Sequence, residues 1–171
     1  ATFGTANTAP YAAGQTVGSV MTFDNFGKFA YLGGVIKKAR LTLNAASNVA
    51  NSNFTLYLFS GNPTFAIADR TVFGLDGASA LLLTGVINFP YLSNFAALGA
   101  GVGGLQAGYG MNDGLEIQYD ASYIGPTGPA LRGVLVANGA FDPDAAVTWT
   151  VALGGEAYLS GYSDPSTIYR A

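Results

Sequence analysis

A chain of 171 residues is the size of one ordinary domain, with glycine about twice as frequent as usual and a 50% hydrophobic share that can fill a core. Cysteine and histidine are both absent, which removes disulfides, thiolate and imidazole metal ligands, the cysteine nucleophile and every Ser-His-Asp triad. A net charge of −3 with only 10% charged residues argues against nucleic acid, which is held by clustered lysine and arginine.

Residues 1–15 carry no strand signal and read as an N-terminal arm. They lack the basic start and apolar middle of a secretory leader, and the leading Ala1 points to a removed start methionine or another processed start. Beyond them glycine and asparagine recur about every ten residues between β-branched and aromatic runs, the spacing of an all-β sandwich. The expected strands are 16–23, 35–43, 54–60, 80–89, 114–120, 131–137, 147–153 and 156–160, about eight in all, and 164–171 reads as a C-terminal arm. The best apolar stretch, 78–92, is broken by Thr84, Asn88 and Pro90, so it is not a membrane span.

Within the second expected strand Val35, Lys37, Ala39, Leu41 and Leu43 alternate with Ile36, Lys38, Arg40 and Thr42. The basic cluster is thereby split between two faces, and a solvated strand face is a better reading of it than a phosphate or anion contact. In the third, Phe54, Leu56 and Leu58 oppose Thr55, Tyr57 and Phe59, and both faces are apolar. One face belongs in the core; the other needs a loop or another subunit. Between Asn62-Pro63 and Leu75 the alternation lapses, and 67–74 is expected to form a helical turn or a short helix starting near Asp69. Residues 94–110, with six glycines, read as a long loop of the kind that contacts a partner. Further on, Leu115, Ile117 and Tyr119 alternate with Glu116, Gln118 and Asp120. Val147, Trp149, Val151 and Leu153 alternate with Thr148, Thr150 and Ala152, which places the lone tryptophan in the core.

Motifs for chemistry are weak. Residues 99–104 satisfy G-x-G-x-x-G but lack the preceding strand and following helix of a dinucleotide site, so they read as loop. Asp142-Pro143-Asp144 with Asn138 offers too few oxygens for calcium and reads as a turn, as do Asn112-Asp113-Gly114, Asp76-Gly77 and Asp164-Pro165. Asn53-Phe54-Thr55 is a formal glycosylation sequon. Paired carboxylates are the one enzyme chemistry left, and their candidates, Glu116 and Glu156, sit at or beside exposed polar strand positions with nothing to bring them together. The expectation is therefore a non-enzyme with no catalytic residue, cofactor or metal site.

Tyr11, Tyr31, Tyr91, Tyr109, Tyr123, Tyr162 and Tyr169 fall near turns or arms, where tyrosine serves recognition, and the low charge favours protein contact over sugar. The candidate partner-binding residues are Phe3, Tyr11, Tyr57, Phe59, Gly101, Tyr109, Tyr162 and Tyr169.

Tyr11-Ala12-Ala13-Gly14-Gln15, Gly33-Gly34-Val35-Ile36-Lys37-Lys38-Ala39-Arg40-Leu41 and Phe54-Thr55-Leu56-Tyr57-Leu58-Phe59 with Asn62-Pro63-Thr64 and Asp69 follow one another in a layout without any catalytic signature. It continues through Leu82-Leu83-Thr84-Gly85-Val86-Ile87-Asn88-Phe89, Leu131-Arg132-Gly133-Val134-Leu135-Val136-Ala137 and Phe141-Asp142-Pro143-Asp144. This layout, over about residues 11–159, resembles the capsid decoration, or cement, proteins of tailed bacteriophages. The chain departs from them in carrying Arg70-Thr71-Val72-Phe73 where the family tends to have Asn-Ala-Ala-Phe, and in the glycine content of 94–110. The resemblance implies one jelly-roll-like β-sandwich over 16–163 between the two arms. It further implies a non-enzymatic virion protein on the outer capsid surface, partnered by the phage major capsid protein and by its own copies as a homotrimer, without nucleic acid or membrane. On that reading residues 1–12 serve binding more than folding. The alternative is a receptor- or carbohydrate-binding sandwich module, as in a tail fibre.

Overall fold

Alternating apolar and polar residues build nine strands in a computed structural model of the chain, described for residues 1–5, 9–24, 33–45, 52–65, 67–90, 93–95, 106–119, 130–142 and 147–157. The strands are β1 (Thr2–Thr5), β2 (Thr16–Asp24), β3 (Gly34–Ala45), β4 (Phe54–Phe59), β5 (Leu83–Phe89), β6 (Ser93–Phe95), β7 (Gln106–Tyr119), β8 (Ala130–Ala137) and β9 (Val147–Ala157). One short helix, α1 (Gly77–Ala80), precedes β5. Among the described residues no helix is long and apolar enough to cross a membrane.

The chain doubles back between β4 and β5, so that β4 pairs with β5, β3 with β7, β2 with β8 and β1 with β9, all antiparallel. Pairing of β3 with β9 and of β4 with β8 rolls this doubled ribbon into two sheets, β1-β9-β3-β7-β6 and β2-β8-β4-β5. The β-sandwich expected from the strand spacing is thus present, with its strands in jelly-roll order. Ile36, Leu41, Phe54, Leu56, Leu58, Ile87, Phe89, Leu135, Trp149 and Val151 are fully buried between the sheets. The Trp149 ring meets Phe54 and Phe141 edge-on, at centroid distances of 5.1 and 5.6 Å, a favoured aromatic geometry.

Several elements differ from the sequence expectation. The first residues are not a strandless arm: the threonine-flanked β1 lies along β9, and Ala1 and Val151 exchange backbone hydrogen bonds of 2.8 and 2.9 Å. Threonine favours the pleated conformation, but four residues are too few to show alternation. No helix forms over the described part of 67–74; Asp69 and Arg70 make a turn in which Arg70 has φ 65°. The helix lies at 77–80 instead, because the Asp76 carboxylate accepts from the Ser79 amide at 2.6 Å and caps it. The Asp76-Gly77 turn signal was thus a cap, and the following strand starts at Leu83. β6 and β7 occupy part of the expected 94–110 loop, β7 also absorbs Asn112-Asp113-Gly114, and β9 runs on through Gly154-Gly155 as one strand. Residues 164–171 lie outside the described residues.

β3 changes phase. The register shifts between Ile36 and Lys38, where Lys37 is an extra residue opposite the Gly155–Gly154 step of β9. Ile36 therefore joins Ala39 and Leu41 in the core, and Lys37 turns outward.

Candidate partner-binding surfaces

The second apolar face of β4 is covered by the chain's own loop. Phe59, Val134 and Val136 form a small buried cluster behind the main core, and Tyr57, Phe65, Ile67, Phe73, Leu82 and Leu83 close over it. Tyr57 stacks on Phe73 at 4.3 Å, and Phe65 meets both Phe73 and Phe59 edge-on. Phe59 is fully buried and Tyr57 half-buried. Neither presents the open face that led to its being read as partner-binding, because residues 60–83 return across the outside of the small sheet.

Tyr11 is also not a surface ring. It is 1% exposed, pairs by backbone with Phe141, and stacks on the Phe141 ring at 5.3 Å. Its hydroxyl donates to Asp69 Oδ1 at 2.8 Å, and the same oxygen accepts from the Gly18 amide at 2.7 Å. Gly18 has φ 72° within a bulge of β2, a conformation that glycine adopts without steric cost and that aims its N–H at Asp69. Arg70 lies over the Tyr11 ring at 4.2 Å and donates to Pro10 O at 2.7 Å. Residues 9–15 are thereby fastened into the sandwich rather than free to bind elsewhere.

Phe3 lies on the edge strand β1, in register with Trp149, and Tyr109 lies on β7 between Thr42 and Ser93. Gly101, Tyr162 and Tyr169 lie outside the described residues, as do Tyr31, Tyr91 and Tyr123. Glu116 is exposed with Lys37 Nζ at 3.4 Å, while Glu156 is exposed on β9. β3 runs between their strands, so nothing in the described sheet brings them together. Asp142 is exposed, and the described residues contain no group of three potential metal-ligating side chains. The sequon hydroxyl of Thr55 is buried and hydrogen-bonded to Asn88 and Asn138.

Among the described residues two surfaces stand out as exposed. Val72, Leu75, Leu81 and Val86 are exposed apolar residues within one stretch of chain, Leu81 at 88% and Val72 at 72%. Val72, Leu75 and Leu81 lie on either side of α1, and Val86 lies on the outer strand β5. Sequence reading passed over them, although Leu81-Leu82-Leu83 held a signal: three consecutive leucines in a strand cannot all face one core. The second surface is the outer face of the five-stranded sheet. Thr2 and Thr150 hydroxyls lie 3.3 Å apart there, Thr42 donates to Thr150 O at 3.3 Å, and Lys38 and Arg40 stand exposed. No family model, curated protein sequence or solved structure matches this chain.

Proposed function

We propose that the chain is a non-enzymatic virion structural protein that binds the outside of a phage capsid as a homotrimer and reinforces the major capsid protein shell. The observation that carries this reading is the exposed apolar group Val72, Leu75, Leu81 and Val86 on an otherwise well-packed sandwich. Such a group gains about 1.5–3 kcal/mol for each side chain fully covered by a neighbour. The layout resemblance to decoration proteins adds to it. The work asked of such a part is mechanical: a rigid body with modest contacts, multiplied by the symmetry of the shell. Interlocked sheets and loops with few charged residues suit that work.

The test is the copy number of this chain relative to the major capsid protein in purified particles, by quantitative peptide mass spectrometry. Hundreds of copies in a simple ratio to the shell protein are expected. A few dozen or fewer would make it a tail or fibre part and overturn the decoration reading in favour of a receptor- or carbohydrate-binding module.

A further inference from the structure

We propose that Lys38 and Arg40 form a pocket for a single carboxylate carried on an acidic side chain. The two cations are two residues apart on β3, beyond the bulge, and so share the outer face of the five-stranded sheet. Opposite them on β9 stand Gly154 and Ala152, in register with Lys38 and Arg40 respectively. Between the strands lies a half-open pocket of about 260 Å³ lined by these four residues with Ala39 and Leu153.

Gly154 shapes it. A Cβ at that position would lie 2.7 Å from Lys38 Cε and 2.9 Å from its Cγ, so the missing side chain is what lets the lysine stem lie across β9.

The other described cations are engaged. Lys37 pairs with Glu116, Arg70 holds Pro10 O and the Tyr11 ring, and Arg132 donates to the Thr22 hydroxyl. Lys38 and Arg40 have no ion pair or side-chain hydrogen bond among the described residues. Two positive groups held beside one pocket, neither in an ion pair among the described residues, match an anion in both charge and hydrogen-bonding capacity. Arginine offers a planar two-pronged donor and lysine a compact charge.

Charge balance selects the ligand. Asp113 stands opposite Lys38 on β7, and Glu156 lies two residues beyond Gly154 on the same face of β9, so the formal charges around the pocket balance. With two carboxylates already nearby, a monoanionic carboxylate suits the two cations better than a phosphate dianion, and the chain's overall −3 disfavours polyanions further. The pocket is also smaller than the roughly 300–1,000 Å³ of most small-molecule sites, which fits one side chain rather than a nucleotide. The assignment stands whether or not the chain decorates a capsid.

The test is titration of the ¹⁵N-labelled full chain, followed by NMR, with N-acetylglutamate α-amide, whose only charge is its side-chain carboxylate, and separately with inorganic phosphate. Saturable shifts centred on the amides of Ala152, Leu153 and Gly154 are expected with the glutamate probe. The double variant Lys38→Gln/Arg40→Gln should weaken binding about tenfold or more. Gly154→Ala retains both charges but displaces the lysine stem, and should also weaken it. Thermal melts check that each variant is folded. Absence of saturation, equal binding by the double variant, unchanged binding by a folded Gly154→Ala, or tighter binding of phosphate would each overturn the proposal.

Discussion

Asp69 joins two parts of the chain that are far apart in sequence, because one carboxylate oxygen accepts from both the Tyr11 hydroxyl and the Gly18 amide. Removing only the hydroxyl leaves the amide bond and the stack on Phe141 in place. Tyr11→Phe is therefore expected to cost about 1 kcal/mol in urea unfolding, whereas Tyr11→Ala, which empties a core position, should cost about 3–5 kcal/mol. Near-equal losses would mean that the hydroxyl, not the ring, holds residues 9–15. Asp76 acts differently. Its exposed carboxylate is held below the usual value of 3.8, first by the backbone hydrogen bond from Ser79 and then by the Ser79 and Thr64 side chains. A carboxylate whose pKa falls on folding contributes stability above its unfolded value and loses it as pH drops through the folded value. The melting-temperature gap between wild type and Asp76→Ala should thus be widest at neutral pH and close on acidification below 3.8. A gap that widened in acid would contradict the capping role.

Strand β4 is covered on both sides, and its two covers differ in depth. Phe54 sits in the main core against Trp149 and Phe141, while Phe73 lies half-buried on Tyr57 outside the small sheet. Phe54→Ala should cost about 4 kcal/mol and Phe73→Ala about 2 kcal/mol, read from chemical denaturation. If the second loss is negligible, the loop over 60–83 is not a structural cover, and β4 regains a face for a partner. The sequence made the two greasy faces of β4 legible, because alternation reports how many sides of a strand are buried. It did not say what covers the outer face, since Phe65 and Phe73 lie in a segment without periodicity. Trp149 and Leu115 to Tyr119 were read correctly because their strands alternate without interruption there. At β3 the alternation misled, as one extra residue at Lys37 moves Ile36 to the core side and aligns Lys38 and Arg40 over Gly154 and Ala152. The start of β7 was hidden for a third reason: Gly108 and Gly110 have no side chains with which to alternate. The pocket on β3 and β9 needed the register across strands, which no local pattern contains.

For the molecule as a whole, Val72, Leu75, Leu81 and Val86 are the exposed apolar side chains that a neighbour would cover. If they meet in a homotrimer, wild type should sediment as a trimer at micromolar concentration, and Leu81→Asp should sediment as a monomer with a melting temperature no lower than that of the isolated wild-type subunit. Leu81 is almost fully exposed, so a charge there disturbs nothing inside the subunit. A wild type that remains monomeric would remove the trimer from the proposed function while leaving the shell contact to be tested by copy number. The doubled topology adds a constraint of its own, because Thr2 pairs with Thr150 and the edge of the large sheet is completed by residues from opposite ends of the described chain. Such distant pairing makes folding slow, on the scale of about milliseconds to seconds.

The lone tryptophan gives this molecule a built-in optical gauge. Trp149 is fully enclosed where the two sheets meet, between Phe54 and Phe141, and no second indole contributes to the signal. Its emission in the native state should be blue, and the red shift on unfolding should report one event, the parting of the sheets, at a single known point. Loosening confined to the 60–83 cover would leave that colour unchanged, so fluorescence and calorimetry read together would tell fraying of the outer layer from opening of the core.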